Sequence, residues 1–340
     1  MAIEKKQDNG VKKIIFNGFQ AYELNHFPYQ AVVIPEFGGN LVAFRDVEKD
    51  YRFIREPLDI EDFKQNPCLY GIPVLFPPNR YEDGTFEFQG HVYQFPINEK
   101  SKNNHLHGFF YDRPWEVAGK GQTENSCYIE LSQTIDEQTE VYRYFPHPFT
   151  IILRYSLSSK GLSQKVSVIN KGTISMPLML GFHTSIHAPF AKNSKPEDYT
   201  VYLAIKDRID LNERSLPTGK RLPLDENEKK LAAEGISPYF NPLDHHYSAV
   251  NNGGNCMILT DKKEKVSLVY DVGNQYHFWM FYNKDAKSGF FCPEPQTGMV
   301  NSPNVNLPSS HTGLIELKPG DTWTAESRLY KKEENGGVYG

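Results

Sequence analysis

The chain has 340 residues, with 37 Lys and Arg against 42 Asp and Glu, so its formal net charge is −5 and its pI is about 6.1. This balance attracts neither nucleic acid nor an anionic membrane surface, and no apolar run is long enough to span a bilayer. Residues 1–11 lack the apolar segment of a signal peptide, so we expect a cytoplasmic protein. In a reducing compartment we expect four widely spaced cysteines to be free and buried: Cys68, Cys127, Cys256 and Cys292.

Strand patterns dominate the chain, and helical patterns are few and short. In chain order the sequence predicts a helix over 59–65, a hairpin of 86–88 with 92–95 around Gln89-Gly90-His91, strands over 150–156 and 165–169, a polar surface helix over 225–234, a strand pair of 266–271 with 277–282, and a last strand over 322–330.

Many strands without interleaved helices favour an antiparallel sandwich or barrel over a doubly wound sheet. Neither a linker nor an internal repeat is visible. We therefore predict an all-β protein, a single domain over 1–340 with a frayed tail from about residue 331.

Two histidines, His105 and His107, are two residues apart and would share one face of a strand. Such a pair is typical of the metal site of cupins, but no glutamate follows within the next few residues, the nearest being Glu116. The sequence therefore favours one structural and one functional histidine, with no metal site.

A second histidine pair, His183 and His187, would face together only on a helix. Pro177, Gly181 and nearby β-branched residues argue against a helix here. The pair is thus not predicted to bind a metal, and a lone histidine in an apolar strand is more often structural than catalytic.

Glu294 lies between Pro293 and Pro295, after an aromatic run. Prolines favour extended backbone, and a partly desolvated carboxylate there would have a raised pKa, as a general base near pH 7 requires. Taken alone, however, this segment favours a surface glutamate in a proline-rich turn.

Taken together, these segments resemble the aldose 1-epimerase (galactose mutarotase) family. The resemblance is carried, in family order, by Pro78-Asn79-Arg80-Tyr81, by Leu106-His107-Gly108 with Pro114-Trp115-Glu116-Val117, by Met176 through His183, by Leu243-Asp244, by Pro293-Glu294-Pro295-Gln296-Thr297 and by Leu317-Lys318-Pro319-Gly320. Each motif is short, and the ordered set is specific.

The resemblance implies a large antiparallel β-sandwich, the galactose mutarotase-like supersandwich, with an open cleft on one sheet. It implies that Glu294 is the base and His183 the acid of anomer interconversion, with His107 polarising the reacting centre. The residues expected to hold the sugar are Asn79, Arg80 and Asp244, with Trp279 or Phe281 stacking on its face. Neither cofactor nor metal is implied, and we expect a monomer or homodimer.

Two departures from the family concern the substrate. Phe109 follows the Leu-His-Gly motif, and Thr184-Ser185-Ile186 follows His183, where galactose mutarotases have other residues. Hexose-6-phosphate epimerases place Arg where this chain has Tyr111, although the Gly71-Ile72-Pro73 segment resembles theirs. An unphosphorylated aldose is therefore favoured.

Three alternatives stay open at this stage: a hexose-6-phosphate 1-epimerase, a non-catalytic carbohydrate-binding protein, and a glycoside hydrolase. A hydrolase using Glu294 and Asp244 would need the two carboxylates about 5–5.5 Å or 6.5–9.5 Å apart.

Overall fold

A computed structural model describes residues 9–250 and 254–333. Its strands, in chain order, are β1 Gly10–Phe16, β2 Phe19–His26, β3 Tyr29–Ile34, β4 Asn40–Asp46, β5 Tyr51–Arg52, β6 Val74–Leu75, β7 Arg80–Glu82, β8 Thr85–Phe88, β9 His91–Gln94, β10 Asn104–Leu106, β11 Glu116–Gln122, β12 Ser126–Ile135, β13 Phe149–Ser158, β14 Gly161–Asn170, β15 Met176–Leu178, β16 Gly181–Phe182, β17 Ile186–His187, β18 Tyr199–Leu203, β19 Ile205–Leu211, β20 Pro217–Leu222, β21 Asp244–Ala249, β22 Cys256–Asp261, β23 Val266–Asp271, β24 Phe278–Tyr282, β25 Phe290–Gln296, β26 Ile315–Leu317 and β27 Thr322–Glu333.

The helices are short: α1 Ile60–Gln65, α2 Glu226–Ala232 and α3 Ser309–Thr312, with 3-10 turns at Pro67–Leu69, Glu140–Arg143, Pro196–Asp198 and Ser302–Asn304. Both predicted helices are confirmed, and each begins at an aspartate that caps it. Asp59 accepts two backbone N–H bonds at α1, and Asp225 forms a capping box with Glu228 at α2. Within the described residues, no helix is long and apolar enough to cross a membrane.

Two large antiparallel sheets dominate the fold. The first, in the order β11-β12-β13-β14-β27-β23-β22-β18, is called here the back sheet, and the second, β20-β19-β21-β24-β25-β16-β6 with β17 beside β25, the cleft sheet. A five-stranded sheet, β1 to β5 in order, and three two-stranded ribbons complete the strands of the described chain. The expected all-β, antiparallel sandwich is confirmed.

The two large sheets face each other across one apolar core. Its buried side chains come from both sheets and include Leu153 and Val166 of the back sheet together with Phe281 and Phe291 of the cleft sheet. Such a core is the expected product of strands that alternate their side chains between two faces.

Several local predictions are confirmed. β8 and β9 form the expected hairpin, in which Gln89 and Gly90 of the turn both have positive φ. β13 pairs with β14, and the last strand is β27. That strand continues to Glu333, so residues 331–333 are paired, contrary to the expected fraying, while the rest of the expected tail lies outside the described residues.

The predicted pairing of 266–271 with 277–282 is wrong. β23 pairs with β22 and β27 in the back sheet, whereas β24 pairs with β21 and β25 in the cleft sheet. The chain between them crosses from one layer to the other. Two apolar strands that follow each other in the sequence can pair as a hairpin or lie in different sheets. Here each strand has other partners on both edges, so the two cannot pair with each other.

The cysteine prediction is half confirmed. All four cysteines are free, and Cys127 and Cys292 are buried as expected. Cys68 and Cys256 are only half-buried. Cys68 lies in the first 3-10 turn, and its position matters for the site described next.

Candidate active site

The register of β25 places Glu294 opposite His183. Gly181 pairs with Gln296 and Ile186 with Phe291, so continuing this register sets residue 183 across from residue 294. Between these pairs the strands separate, and His183 donates its backbone N–H to Pro73 instead. Pro293 and Pro295 have no N–H to offer in this gap, so their presence in an inner strand costs little pairing there.

Side-chain alternation decides what else reaches this face of the cleft sheet. Met280 is the cross-strand partner of Glu294, and Tyr282 is the partner of Asp244. Residues two apart on a strand share a face, so these four side chains lie together. Sequence reasoning missed Met280 and Tyr282. Once the register is known, the alternation of side chains along β24 places both of them on the same face as Glu294 and Asp244.

Trp279 lies on the opposite face, and the prediction that it stacks on a sugar is wrong. The indole is fully buried, donates its Nε1–H to Asn255 Oδ1 at 2.7 Å and packs edge-on against Tyr270 of the back sheet. Phe281 points the same way and stacks on Phe291. An odd position on β24 faces the core because the even positions face the cleft.

Asn79, Arg80 and His107 reach the site from a separate ribbon, in which Leu106 of β10 pairs with Arg80 of β7. His107 donates its backbone N–H to Asn79 O at 2.9 Å. Both Asn79 and His107 have positive φ, 58° and 66°. Such backbone is uncommon for residues other than glycine, although Asn and His adopt it more readily than most.

Gly108 fixes the position of His107. Its φ is +71°, and a Cβ there would lie 2.1 Å from the backbone oxygen of Phe76. No other residue would fit without displacing the chain. The Leu-His-Gly motif thus has a steric reason as well as a chemical one.

The side chains enclose a cleft of about 190 Å³, here called the inner cleft. It contains every predicted site residue except the two candidate stacking residues, Trp279 and Phe281. Its lining residues are Cys68, Leu69, Asn79, Arg80, Leu106, His107, His183, Asp244, Met280, Tyr282 and Glu294. An outer cleft of about 390 Å³ continues from it, shares Cys68, Leu69, Leu106, His107 and Tyr282, and adds Tyr111.

His183 and Glu294 are in direct contact. His183 Nε2 lies 3.1 Å from Glu294 Oε1, and both side chains are almost completely buried. Glu294 Oε2, His183 Nδ1 and His107 Nδ1 are buried and have no hydrogen-bond partner in the part of the chain that the structure describes. Buried polar atoms are seldom left unpaired, so these three atoms are available to a polar ligand.

Burial controls the protonation of this cluster. It raises the pKa of Glu294 well above its ordinary value, Asp244 adds to the rise, and Arg80 opposes it. Burial lowers the pKa of His183 to about 4, with Arg80 adding to the fall, and lowers that of His107 well below its ordinary value. Burial therefore favours a protonated carboxyl at Glu294 and neutral imidazoles at His183 and His107.

The other two histidines lie elsewhere. His105 is buried with its ring against Phe95 and Phe109, and its Nδ1 lies 2.8 Å from Pro96 O. His187 lies on β17, so the pair with His183 is not helical, as predicted. Among the described residues, no group of three or more His, Cys, Asp or Glu side chains is arranged to hold a metal ion.

Comparison with known proteins identifies the family and the fold. The family model described as aldose 1-epimerase matches residues 20–330. A solved galactose mutarotase-like protein from Clostridium acetobutylicum is 34% identical, with a TM-score of 0.92, over 96% of this chain and 99% of that chain. Galactose 1-epimerase from Lactobacillus acidophilus shares the fold at 13% identity, with a TM-score of 0.73, over 96% of this chain and 100% of that chain.

A curated relative, the uncharacterized protein YihR of Escherichia coli (strain K12), is 27% identical over 198 residues. The match spans 56% of this chain and 58% of the relative, so it covers little more than half the length of either.

Proposed function

Because the chain belongs to the aldose 1-epimerase family, we propose that it interconverts the α and β anomers of an unphosphorylated hexose by acid–base opening of the sugar ring. The observation that carries this proposal is the contact of His183 Nε2 with Glu294 Oε1 at 3.1 Å, in a cleft where each side chain keeps one unpaired polar atom.

A His183–Glu294 pair that holds one proton in total suits the reaction. Glu294 as a carboxylate takes the proton of the C1 hydroxyl, while His183 as an imidazolium gives a proton to the ring oxygen as the C1–O5 bond breaks. The aldehyde then rotates about C1–C2 and recloses on its other face, and the two proton transfers run in reverse. No net proton is gained or lost, and general acid–base catalysis of this kind typically contributes 10²–10⁴-fold.

Transfer of one proton from the Glu294 carboxyl to the His183 imidazole would convert the uncharged pair into the reactive carboxylate and imidazolium. Burial favours the protonated carboxyl and neutral imidazole. A sugar bound at Glu294 and His183 would replace water with fixed hydroxyl dipoles and so favour the carboxylate and imidazolium. His107 would polarise C1 or the ring oxygen, and Asn79, Arg80 and Asp244 would orient the ring.

The lining supports an uncharged substrate. Tyr111 lines the outer cleft, and among the lining residues of both clefts Arg80 is the only arginine or lysine. Arg80 already contacts two carboxylates, those of Glu99 and Asp244. A phosphate here would find no unshared cation, and a buried anion without partners is costly.

The test is anomer exchange measured by NMR saturation transfer, with spontaneous exchange subtracted, for galactose, glucose and glucose 6-phosphate. We expect the neutral hexoses to have the higher kcat/KM. A preference of more than about tenfold for the phosphate ester, about 1.4 kcal/mol, would favour a sugar-phosphate epimerase. Binding without exchange would indicate a carbohydrate-binding protein, and release of nitrophenol from a nitrophenyl glycoside a hydrolase.

A further inference from the structure

Arg80 is held by Glu99, a residue that does not line the inner cleft. Its Nε lies 3.0 Å from both Oε1 and Oε2 of Glu99. Its Nη1 lies 3.7 Å from Asp244 Oδ2 and 3.5 Å from Asn79 Oδ1, and both of these residues line the inner cleft. Glu99 therefore takes the Nε edge of the guanidinium and leaves an Nη group at the sugar site.

Glu99 is itself fixed. Asn104, which is fully buried, donates its Nδ2–H to Glu99 Oε2 at 3.0 Å, and the two residues exchange backbone hydrogen bonds. Asn104 is anchored in turn by Arg214, whose Nη2 donates to Asn104 Oδ1 and whose backbone oxygen accepts from Asn104 Nδ2. A carboxylate held this firmly is preorganised to position Arg80.

The contact with Glu99 also offsets the positive charge of Arg80. The Arg80 and Glu99 side chains are only 11% and 13% exposed, so water screens their attraction weakly. With Asp244 on the other side, one guanidinium is shared by two carboxylates. A neutral sugar can use the remaining donors, whereas an anion would meet no surplus positive charge.

We propose that Glu99 is a positioning and specificity-determining residue: it holds Arg80 by its Nε edge and cancels its charge, so that the cleft accepts uncharged sugars and rejects anionic ones. This proposal concerns the substrate class of the same site, and it rests on the proposed function because it requires that the cleft bind a sugar.

Glu99 also affects the acid–base pair through Arg80, whose charge lowers the pKa of Glu294 and of His183. Removing the opposing charge of Glu99 exposes more of this field, so both pKa values fall and the whole pH profile moves to lower pH. The titratable and charged groups that face Glu294 are His183, Asp244, Arg80, Cys68, Tyr282 and Cys292.

The deciding experiment compares Glu99→Gln with the wild type and with Glu82→Gln. Glu82 also pairs with an arginine, Arg214, but is 44% exposed and does not line either cleft, and Arg214 has a second carboxylate partner, Asp83, that holds it at Asn104 when the Glu82 charge is removed. Both variants change the net charge equally, so a difference between them reports the local charge at Arg80. Calorimetry would measure the binding of 1,5-anhydroglucitol, a hexose analogue without the anomeric hydroxyl, and of its 6-phosphate ester.

In Glu99→Gln we expect the affinity ratio of phosphate ester to neutral analogue to rise by roughly tenfold, the effect of removing a partly buried charge. Glu82→Gln should leave the ratio at the wild-type value. An unchanged ratio in Glu99→Gln, an equal rise in Glu82→Gln, or wild-type protein that does not bind the neutral analogue would each overturn the proposal.

A second readout uses turnover. We expect the bell-shaped pH profile of kcat/KM for glucose to shift to lower pH in Glu99→Gln, with KM affected more than kcat, and to stay in place in Glu82→Gln. A Glu99→Gln protein that fails to fold is replaced by Glu99→Asp, which keeps the charge and should keep the wild-type ratio while raising KM; a changed ratio there contradicts charge cancellation. Wild-type binding without anomer exchange would refute the proposed function alone, because the binding ratio still decides the role of Glu99.

Discussion

Glu294 and Glu228 are both buried carboxylates in contact with a histidine, yet their surroundings are opposite. Glu228 Oε1 lies within 3.2 Å of His245 Nδ1 and 2.9 Å of both Tyr247 OH and Arg208 Nη1, and its Oε2 accepts the backbone N–H of Asp225. Glu294 Oε1 lies 3.1 Å from His183 Nε2, and its Oε2 has no hydrogen-bond partner among the described residues.

Their pKa values differ accordingly. Burial raises the pKa of both carboxyls, but at Glu228 the hydrogen bonds from His245, the Asp225 backbone and Tyr247 outweigh burial and lower the pKa to about 2. At Glu294 the opposing effects of the Arg80 charge and the Gln296 side chain are too small to outweigh burial, and the pKa is raised well above its ordinary value. The number of donors, not the presence of a neighbouring histidine, separates an anchoring carboxylate from one that can exchange a proton.

The largest expected effect is on catalysis. Glu294→Gln should lower kcat for anomer exchange by at least about 10²-fold, because the amide cannot accept the C1 hydroxyl proton. Its thermal stability should not fall, since a carboxyl with too few donors gains little from its charge. NMR exchange and thermal denaturation on the same sample would check both. Near-normal turnover in the folded variant would remove Glu294 from the mechanism.

Glu228→Gln should show the reverse pattern. Removing the charge leaves Arg208 partly buried without its closest partner, and breaking a buried ion pair costs roughly 3–5 kcal/mol. We expect lower stability in urea denaturation and nearly unchanged kcat at a temperature where the variant stays folded. A loss of kcat as large as that of Glu294→Gln, without a loss of stability, would mean that the two sites are not separate.

The pH dependence sharpens the contrast. A pair holding one proton is active between two limits, so kcat/KM should fall below about pH 4, where His183 takes a second proton, and again above the raised pKa of Glu294. A profile with its acid limb near pH 6.5, the ordinary histidine value, would contradict the burial argument. Glu228→Gln should leave both limbs in place.

The pH dependence of folding stability should differ between the two carboxyls in the same way as their pKa shifts. Because the folded-state pKa of Glu294 is raised, its protonated carboxyl contributes stability that is fully present below the unfolded pKa and is lost as pH rises through the folded value. The folded-state pKa of Glu228 is lowered to about 2, so its contribution is present above the unfolded pKa and is lost as pH falls toward 2. Denaturation midpoints of each Gln variant against wild type over pH 3–9 would separate the two; parallel curves would contradict this assignment.

The smallest expected effect is that of chelation. The proposed chemistry needs only proton transfers, so exhaustive treatment with a chelator should leave the anomer exchange rate unchanged. A rate that is lost and then restored by one divalent ion would revive the interpretation of His105 and His107 as metal ligands.

The sequence alone could predict features that depend on local chemistry, whereas Glu294 and His107 were assigned their roles only through the resemblance to a family. Prolines on either side of Glu294 favour extended backbone, and Gly108 next to His107 marks a turn that no larger side chain permits. The capping aspartates of α1 and α2 act over three residues, and both helices were predicted within two residues of their bounds. Short-range signals of this kind need no knowledge of the fold.

The tertiary structure alone decided which strands are neighbours and which face of each strand meets the cleft. The pairing of β23 with β24 failed and Trp279 proved to be a core residue because register and layer depend on contacts between distant parts of the chain. For the same reason Met280, Tyr282 and Glu99 could not be assigned in advance. Nor could the sequence separate Glu294 from Glu228, since the donors that surround a carboxylate are brought to it only by folding.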